Sequence, residues 1–362
     1  MATRSKVTIA DVAQAAGVST ATAGRVLGSY GYAAKSTRDQ VTAVARKLGY
    51  RPNGLARSLI TGETRTIGVV AGDIRTQFYA SILRGISDVA DEHGFGLLIT
   101  NSDERLDHEM RALDLLMEKQ VDGLIVSPCD TRKARHLHRI SETQLPIVLI
   151  DRAVEGLAVD QVTALNAEGA EAAVGELIRA GHTRIGVVAE LLEPEPGGIE
   201  RFIEDAHAGL VRTAKSMYPS WQRLLGYINA HRAAGLAIDS SLIRPAGSYS
   251  SEAAHREARD LLSHAERPSA LFTTDGTMSE GVMRAIAEAG LVIPRDVSLV
   301  GFDDLDWMAF TPPGISAISQ PRYAMGAAAA RMLLDRVAGS TAPTSGLTMT
   351  PEFIKRGSIA RR

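Results

Sequence analysis

The spacing of apolar positions changes near residue 66, and the two regimes predict two kinds of structure. Before it, apolar residues recur at helical intervals in three short stretches. Thr8 can cap a first helix with Ile9, Val12, Ala13 and Ala16 on one face, ended by Gly17. Ser19 can cap a second, with Ala23, Val26 and Leu27 as its inner stripe, after only Gly17-Val18 as a turn. Two helices joined by so tight a glycine turn form a helix-turn-helix. A third helix is expected to open at Ser36, with Asp39 at N3 and Val41, Val44, Ala45 and Leu48 inward, before Gly49 stops it.

From Thr66 onward short apolar runs alternate with amphipathic helical stripes. The runs are 67–71, 97–100, 123–127, 147–150, 185–189, 270–273 and 298–302, with stripes such as Ile82, Leu83, Ile86 and Val89 between them. Continuous apolar strands alternating with helices imply parallel sheets covered on both faces. Seven such units exceed one ordinary domain, so two doubly wound α/β lobes are expected. A long helix over 325–337 belongs to one of them.

Charge sharpens this division. The whole 362-residue chain is close to neutral at -2, yet residues 1–65 carry three Lys and seven Arg against Asp11, Asp39 and Glu63. The remainder is correspondingly acidic, so a basic module of net +7 precedes an acidic one of net -9. The contrast points to a polyanion as partner of the first part. The single cysteine, Cys129, excludes a disulfide framework and a cysteine-based zinc site, and fits a reducing compartment. No apolar run approaches the roughly 18 residues of a membrane span, and no apolar stretch follows the N-terminus as in a secretory signal. A cytoplasmic protein without membrane association is expected.

Thr20, Ala21, Thr22 and Arg25 fall on the outward face of the second helix, where a recognition helix meets base edges. Arginine reads guanine bidentately, and methyl groups of Thr and Ala can meet a thymine methyl. Next comes Arg51-Pro52-Asn53-Gly54-Leu55-Ala56-Arg57-Ser58-Leu59-Ile60-Thr61-Gly62, in which Asn53 can cap about two helical turns. So short a helix is marginal alone and should order only against a partner. Leu59 beside basic groups has the composition of a minor-groove wedge.

These residues, with others downstream, resemble the LacI/GalR family of transcriptional repressors. The matching motifs are Thr8-Ile9-Ala10-Asp11-Val12-Ala13, Ala16-Gly17-Val18-Ser19, Arg25-Val26-Leu27, Gly49-Tyr50-Arg51-Pro52-Asn53 and Ala56-Arg57-Ser58-Leu59. Ile67-Gly68-Val69-Val70, Val121-Asp122-Gly123-Leu124-Ile125, Gly181-His182-Thr183-Arg184-Ile185 and Val300-Gly301-Phe302-Asp303-Asp304 continue the match in order. The resemblance implies a helix-turn-helix DNA-binding head over 1–50 and a hinge helix and linker over 51–65. It further implies an effector-binding and dimerisation core over 66–362, with a periplasmic-binding-protein-like fold. The two lobes of that core are expected over roughly 66–165 and 166–319, with the C-terminal segment crossing between them.

The implied partners are double-stranded operator DNA of pseudo-palindromic sequence, a second copy of the chain, and a small sugar or nucleoside as effector. No cofactor and no metal are expected. The DNA-binding set carried over is Thr8, Ser19, Thr20, Ala21, Thr22 and Arg25 in the head, and Asn53, Ala56, Arg57 and Leu59 in the hinge. Thr20 and Ala21 fall on the variable base-reading positions, Arg25 on the third, and Leu59 on the leucine inserted at the operator centre. The effector set is Asp73, Phe78, Tyr79, Asp151, Arg223, Tyr249, Asp275, Asp303 and Gln320, drawn from both lobes. Aromatic residues near strand ends are more often core, so Phe78, Tyr79 and Tyr249 carry less weight than Arg223 and Asp303. Among these positions only Arg223 is positive, so a neutral polyhydroxylated ligand is expected, with an amino-bearing one second.

The chain departs from the family pattern in three places. Gly24 stands where serine is usual, Asp275-Gly276 replaces the usual Asn-Asp, and the segment from Leu191 to Ser220 is longer than the corresponding loop. That segment carries a helical stripe of Ile199, Phe202, Ile203, Ala206 and Leu210, for which a surface elaboration near the cleft is expected. The C-terminus lacks the leucine heptads that join two dimers in some members, so a dimer is the expected end state. Two other classes use related scaffolds: a solute-binding protein for transport, disfavoured by the basic head, and a sugar-processing enzyme. For the latter no phosphate loop, Gly-x-Ser-x-Gly elbow, His-Glu-x-x-His or Gly-x-Gly-x-x-Gly fingerprint occurs. His136 and His138, two apart on an expected helix, face different sides and make poor metal ligands.

Overall fold

The computed structural model describes residues 7–28, 32–50, 62–192, 197–211 and 216–362. The expected hinge helix, with Asn53, Ala56, Arg57 and Leu59, lies outside the described residues.

The head consists of α1 (Ile9–Ala15), α2 (Thr20–Leu27) and α3 (Lys35–Leu48). Thr8 and Asp11 form a reciprocal capping box, each satisfying the other's orphan backbone donor. Ser19 Oγ accepts from the Thr22 amide at 3.1 Å to start α2. Gly17 and Gly49 take the left-handed conformation that the expected stops require. The third helix differs from expectation: its N-cap is Ala34, two residues before Ser36, and makes no side-chain cap. Val12, Ala13, Ala16, Ala23, Val26, Val41 and Ala45 close a small core of their own.

The core holds two six-stranded sheets with strand orders β11-β5-β4-β3-β1-β2 and β12-β10-β9-β8-β6-β7. The first uses β1 (Thr66–Ala71), β2 (Gly96–Asn101), β3 (Gly123–Val126), β4 (Ile147–Ile150) and β5 (Asp160–Ala164), with β11 (Gly346–Met349) far along the chain. The second uses β6 (Ile185–Ala189), β7 (Ile243–Pro245), β8 (Ala270–Thr273), β9 (Ser298–Phe302), β10 (Ser316–Ser319) and β12 (Glu352–Ile354). β12 runs antiparallel to β10, whereas β9 runs parallel to it. Strands such as Ile147–Ile150 and Ser298–Phe302 are buried throughout, which is why they read as unbroken apolar runs.

The helices of the core are α4 (Gln77–Glu92), α5 (Leu106–Glu118), α6 (Arg135–Ser141), α7 (Asn166–Arg179) and α8 (Gly198–His207). They continue with α9 (Pro219–Ala233), α10 (Ser251–Ser263), α11 (Gly276–Glu288), α12 (Asp306–Phe310) and α13 (Arg322–Val337). The long C-terminal helix α13 returns to the first lobe, where it packs on α4 and on β3, β4 and β5. Arg336 on α13 holds the buried Asp160 of β5 through two hydrogen bonds of 2.6 and 3.1 Å. The elongated segment before Ser220 contributes α8, which lays Phe202 against Trp221 with ring centroids 4.9 Å apart. Its stripe is shorter than expected: Phe202, Ile203 and Ala206 are buried, while Leu210 lies past the helix end and is 70% exposed.

Where α4 crosses α13, glycines let the backbones touch. A Cβ on Gly326 would collide with the Ile82 carbonyl oxygen, and one on Gly85 with that of Tyr323. Backbone cannot step aside as a flexible side chain can, so Gly326→Ala is expected to cost about 3 kcal/mol, the upper part of the overpacking range. Urea unfolding reads this directly, and a midpoint within error of the parent would mean that the crossing is looser than described.

Candidate functional site

Strand C-termini of both lobes face one cavity of about 600 Å³. That volume suits a small-molecule ligand, and its place matches the rule that open α/β sheets bind beyond their carboxyl ends. Eight of the nine effector positions line it: Asp73, Phe78, Tyr79, Asp151, Arg223, Tyr249, Asp275 and Asp303. The ninth, Gln320, stands one layer back and donates from Nε2 to Asp303 Oδ1 at 2.7 Å.

Asp151 follows β4 and Asp303 follows β9, and both are nearly buried with left-handed backbone, at φ 70° and 68°. Aspartate tolerates this region better than most residues, and a non-glycine residue held there is a mark of functional positioning. Each lobe thus aims one carboxylate from the end of a central strand into the shared space. Arg223, on α9, is 3% exposed and firmly held. Its Nε donates to Asn166 Oδ1 at 2.9 Å, its Nη1 to the Thr274 carbonyl at 2.6 Å, and the guanidinium lies 4.0 Å over the Phe302 ring. This geometry preorganises the remaining guanidinium donors at little entropic cost when a ligand arrives.

The aromatic positions divide. Tyr79 is buried, bonds Ser127 Oγ at 2.8 Å and stacks edge-on against Phe78, so it is as much core as cavity wall. Tyr249 is half-buried at the mouth of α10 beside Ser250 and Ser251. Trp307, which the sequence reasoning missed, also lines the cavity, and its indole Nε1 has no partner among the described residues. Nothing in its sequence context distinguishes it from an ordinary core tryptophan.

The charge of the cavity differs from expectation in both directions. Arg75 is a second lining cation, clamping Asp73 at 2.7 Å and holding that carboxyl below its usual range. Asp103, Glu104 and Glu280 add carboxyl groups that spacing alone does not reveal. Behind the wall, Arg152 is buried between Glu104 and Asp151, with Nη1 2.5 Å from Glu104 Oε2 and the guanidinium 4.5 Å over the Tyr218 ring. That stack ties β4 of the first lobe to the start of α9 in the second.

Burial pushes the Asp151 carboxyl up to about 6, against the opposing pull of Arg152 and Arg223. A carboxyl raised in the folded state favours folding fully only below its unfolded value of about 4, and that advantage is lost as pH rises to about 6. At neutral pH the core therefore carries a costly buried carboxylate. Asp151→Asn is expected to stabilise the protein by about 2 kcal/mol more at about pH 7.5 than at about pH 4.5, where the unfolded carboxyl is already largely ionised. Melting curves at the two pH values check this; equal shifts would mean that Asp151 is ionised throughout.

In the head, Ser19, Thr20, Ala21 and Arg25 are exposed along α2. Thr22 is half-buried, and its hydroxyl lies 2.9 Å from that of Ser19, so it takes part in the cap. Thr8 likewise spends its hydroxyl on the α1 cap.

The model of bacterial regulatory proteins of the lacI family matches residues 8–53, and that of a periplasmic binding protein-like domain matches residues 174–359. Catabolite control protein A of Priestia megaterium is 33% identical over 327 residues, covering 90% of this chain and 91% of that protein. The ribose operon repressor of Escherichia coli K12 is 30% identical over 351 residues, covering 97% and 99%. Among solved structures, a complex of the transcriptional regulator CelR with cellobiose is 26% identical, covers 97% and 99%, and superposes with a TM-score of 0.68. The lac repressor dimer bound to operator and the anti-inducer ONPF shares the fold, with a TM-score of 0.79, 22% identity and coverage of 98% and 99%.

Proposed function

This chain belongs to the LacI family of bacterial regulatory proteins, and from that premise we propose that it is a dimeric, ligand-responsive transcriptional repressor rather than an enzyme. The observation that carries the reading is one cavity lined by strand ends of both lobes, in a chain that also carries a helix-turn-helix head. The basic head supplies salt-dependent phosphate affinity through Lys and Arg, and Thr20, Ala21 and Arg25 select the bases. Leu59 enters the minor groove at the operator centre, where a pyrimidine-purine step is the easiest to open.

The effector is a small polyhydroxylated molecule of the sugar or nucleoside class. Asp151 and Asp303 accept from its hydroxyls, Arg223 donates to a ring or hydroxyl oxygen, and an aromatic face covers its apolar side. A ligand held by both lobes favours one lobe arrangement over another in proportion to its differential affinity for the two. In a dimer that shift changes the cost of ordering two hinges on one operator, which is how a small molecule alters DNA affinity.

Gel-shift selection from random genomic fragments, repeated with sugars and nucleosides, tests the reading. A specific fragment should be retained, and at least one compound should change its retention. A protein that bound a sugar yet retained no fragment would instead be a solute-binding protein of the same core fold.

A further inference from the structure

Asp275 lines the cavity, and directly behind it lies an arrangement that the other lining residues do not account for. Asp275 caps α11, and its Oδ1 accepts from the Thr277 and Met278 amides at 2.7 and 3.0 Å. Its other oxygen, Oδ2, is buried and finds no donor among the described residues. Beside it stands Glu190, fully buried after β6, whose Oε2 accepts from Thr274 Oγ1 at 2.9 Å while Oε1 is also without a donor. Glu190 is bonded to Thr274, the residue before Asp275, so the two carboxyl groups are neighbours, and a proton on one of them relieves their repulsion and lets it donate to the other. Burial and the Glu190 charge together push the Asp275 carboxyl well above its usual range. Near the same pair, Tyr218 is 1% exposed, and its hydroxyl is equally without a partner among the described residues.

The surrounding cations are engaged mainly elsewhere, and only the field of Arg223 reaches Glu190. Asp73 has Arg75, and Glu104 and Asp151 have Arg152. Arg223 spends Nε and Nη1 on Asn166 and Thr274, and Asp303 is its strongest charged neighbour. A buried, singly protonated carboxyl pair is one negative charge, which the field of Arg223 reaches but which no cation among the described residues meets in an ion pair. An isolated buried charge is costly, and a ligand cation placed against it gains strong charge-assisted hydrogen bonds. A neutral hydroxyl gains only an ordinary one.

We propose that Glu190 and Asp275 form a cation-selecting pair, so that the effector is a polyhydroxylated molecule bearing one protonated amino group, of the amino-sugar class. As the ammonium group enters, the shared proton leaves to solvent, and its N–H donors face carboxylate oxygens that lack donors among the described residues. Glu190 is a specificity-determining residue that the departure at Asp275 makes necessary: with asparagine at 275, its amide could donate to Glu190 and no proton would be shared. This inference rests on the polyhydroxylated-effector reading above and narrows it.

The test uses the full-length protein and matched probes, D-glucose against D-glucosamine and D-galactose against D-galactosamine. Affinities are measured by calorimetry in two buffers of different ionisation enthalpy, at a pH where the amines are protonated. The expected result is at least about tenfold tighter binding of an amino member, about 1.4 kcal/mol, with net proton release. Glu190→Gln and Asp275→Asn, each checked for an unchanged circular dichroism spectrum, should both erase that preference. Equal affinity within each pair, or tighter binding of the neutral member, overturns the cation-selecting pair and leaves the sugar reading standing. Failure of every probe to saturate the wild-type protein overturns the polyhydroxylated-effector reading together with this one.

Discussion

Replacing Arg223 with alanine should abolish the response of operator binding to the effector. Among the described residues the side chain is the one deeply buried guanidinium that lines the cavity, and its orientation is fixed by Asn166, Thr274 and Phe302 before any ligand enters. Removing it takes away a preorganised, charge-assisted donor and also strips the Asn166 carbonyl oxygen of its partner. A loss of at least about 100-fold in effector affinity, about 3 kcal/mol, is expected. Arg223→Lys should recover little of it, because an ammonium group cannot reach both anchors and keep a flat face on Phe302. Titration of the effector against the operator complex reads the loss, and an unchanged half-point in Arg223→Ala would remove Arg223 from the site.

The second large effect concerns DNA. Arg25 is exposed on α2 while Ala23 and Val26 on the same helix are buried, so the guanidinium is free to reach a base edge. A bidentate arginine contact to guanine is worth about 1–3 kcal/mol, and a dimer makes two, so Arg25→Ala should cost about 2–6 kcal/mol on the operator. On scrambled DNA the same substitution should cost far less, because phosphate contacts carry that binding. Fluorescence anisotropy on both duplexes at one salt concentration separates the two. Equal losses on operator and scrambled DNA would reassign Arg25 to the phosphate backbone.

What could be read from the sequence follows from how each part is stabilised. Helices of the head announce themselves through local caps, as with Thr8 and Ser19, because capping is decided within three residues. Buried parallel strands such as 147–150 and 298–302 announce themselves as apolar runs. β5 does not, since it opens with Asp160, a buried acid whose partner Arg336 lies far away in sequence. β7, β11 and β12 are short edge strands whose exposed positions dilute the pattern. The same limit applies to the site. Motif resemblance supplies Asp151, Asp303 and Arg223 alike, and the alternation of strand and helix adds only that the two carboxylates stand at strand ends. Glu190 follows a strand like many solvent-facing acids, and only the fold reveals that it is buried against Asp275.

The path of the chain from residue 322 onward has a consequence for how the protein is made. Sheet order places β11 at the edge of the first sheet, and α13 packs against β3, β4 and β5 within it. Met325, Ala329, Ala330 and Leu333 of that helix are fully buried among residues of β1, β3 and β4. During synthesis, therefore, the lobe that emerges first from the ribosome is the one that waits longest for its last pieces. Its apolar face stays open while the whole second lobe is translated. Domains ordinarily fold in order of emergence, and exposed apolar surface on a nascent chain invites chaperones and aggregation. A nonsense codon shortly before residue 322 would thus do more than trim a tail: it would leave a second lobe near completion tethered to a first lobe with no lid on its core.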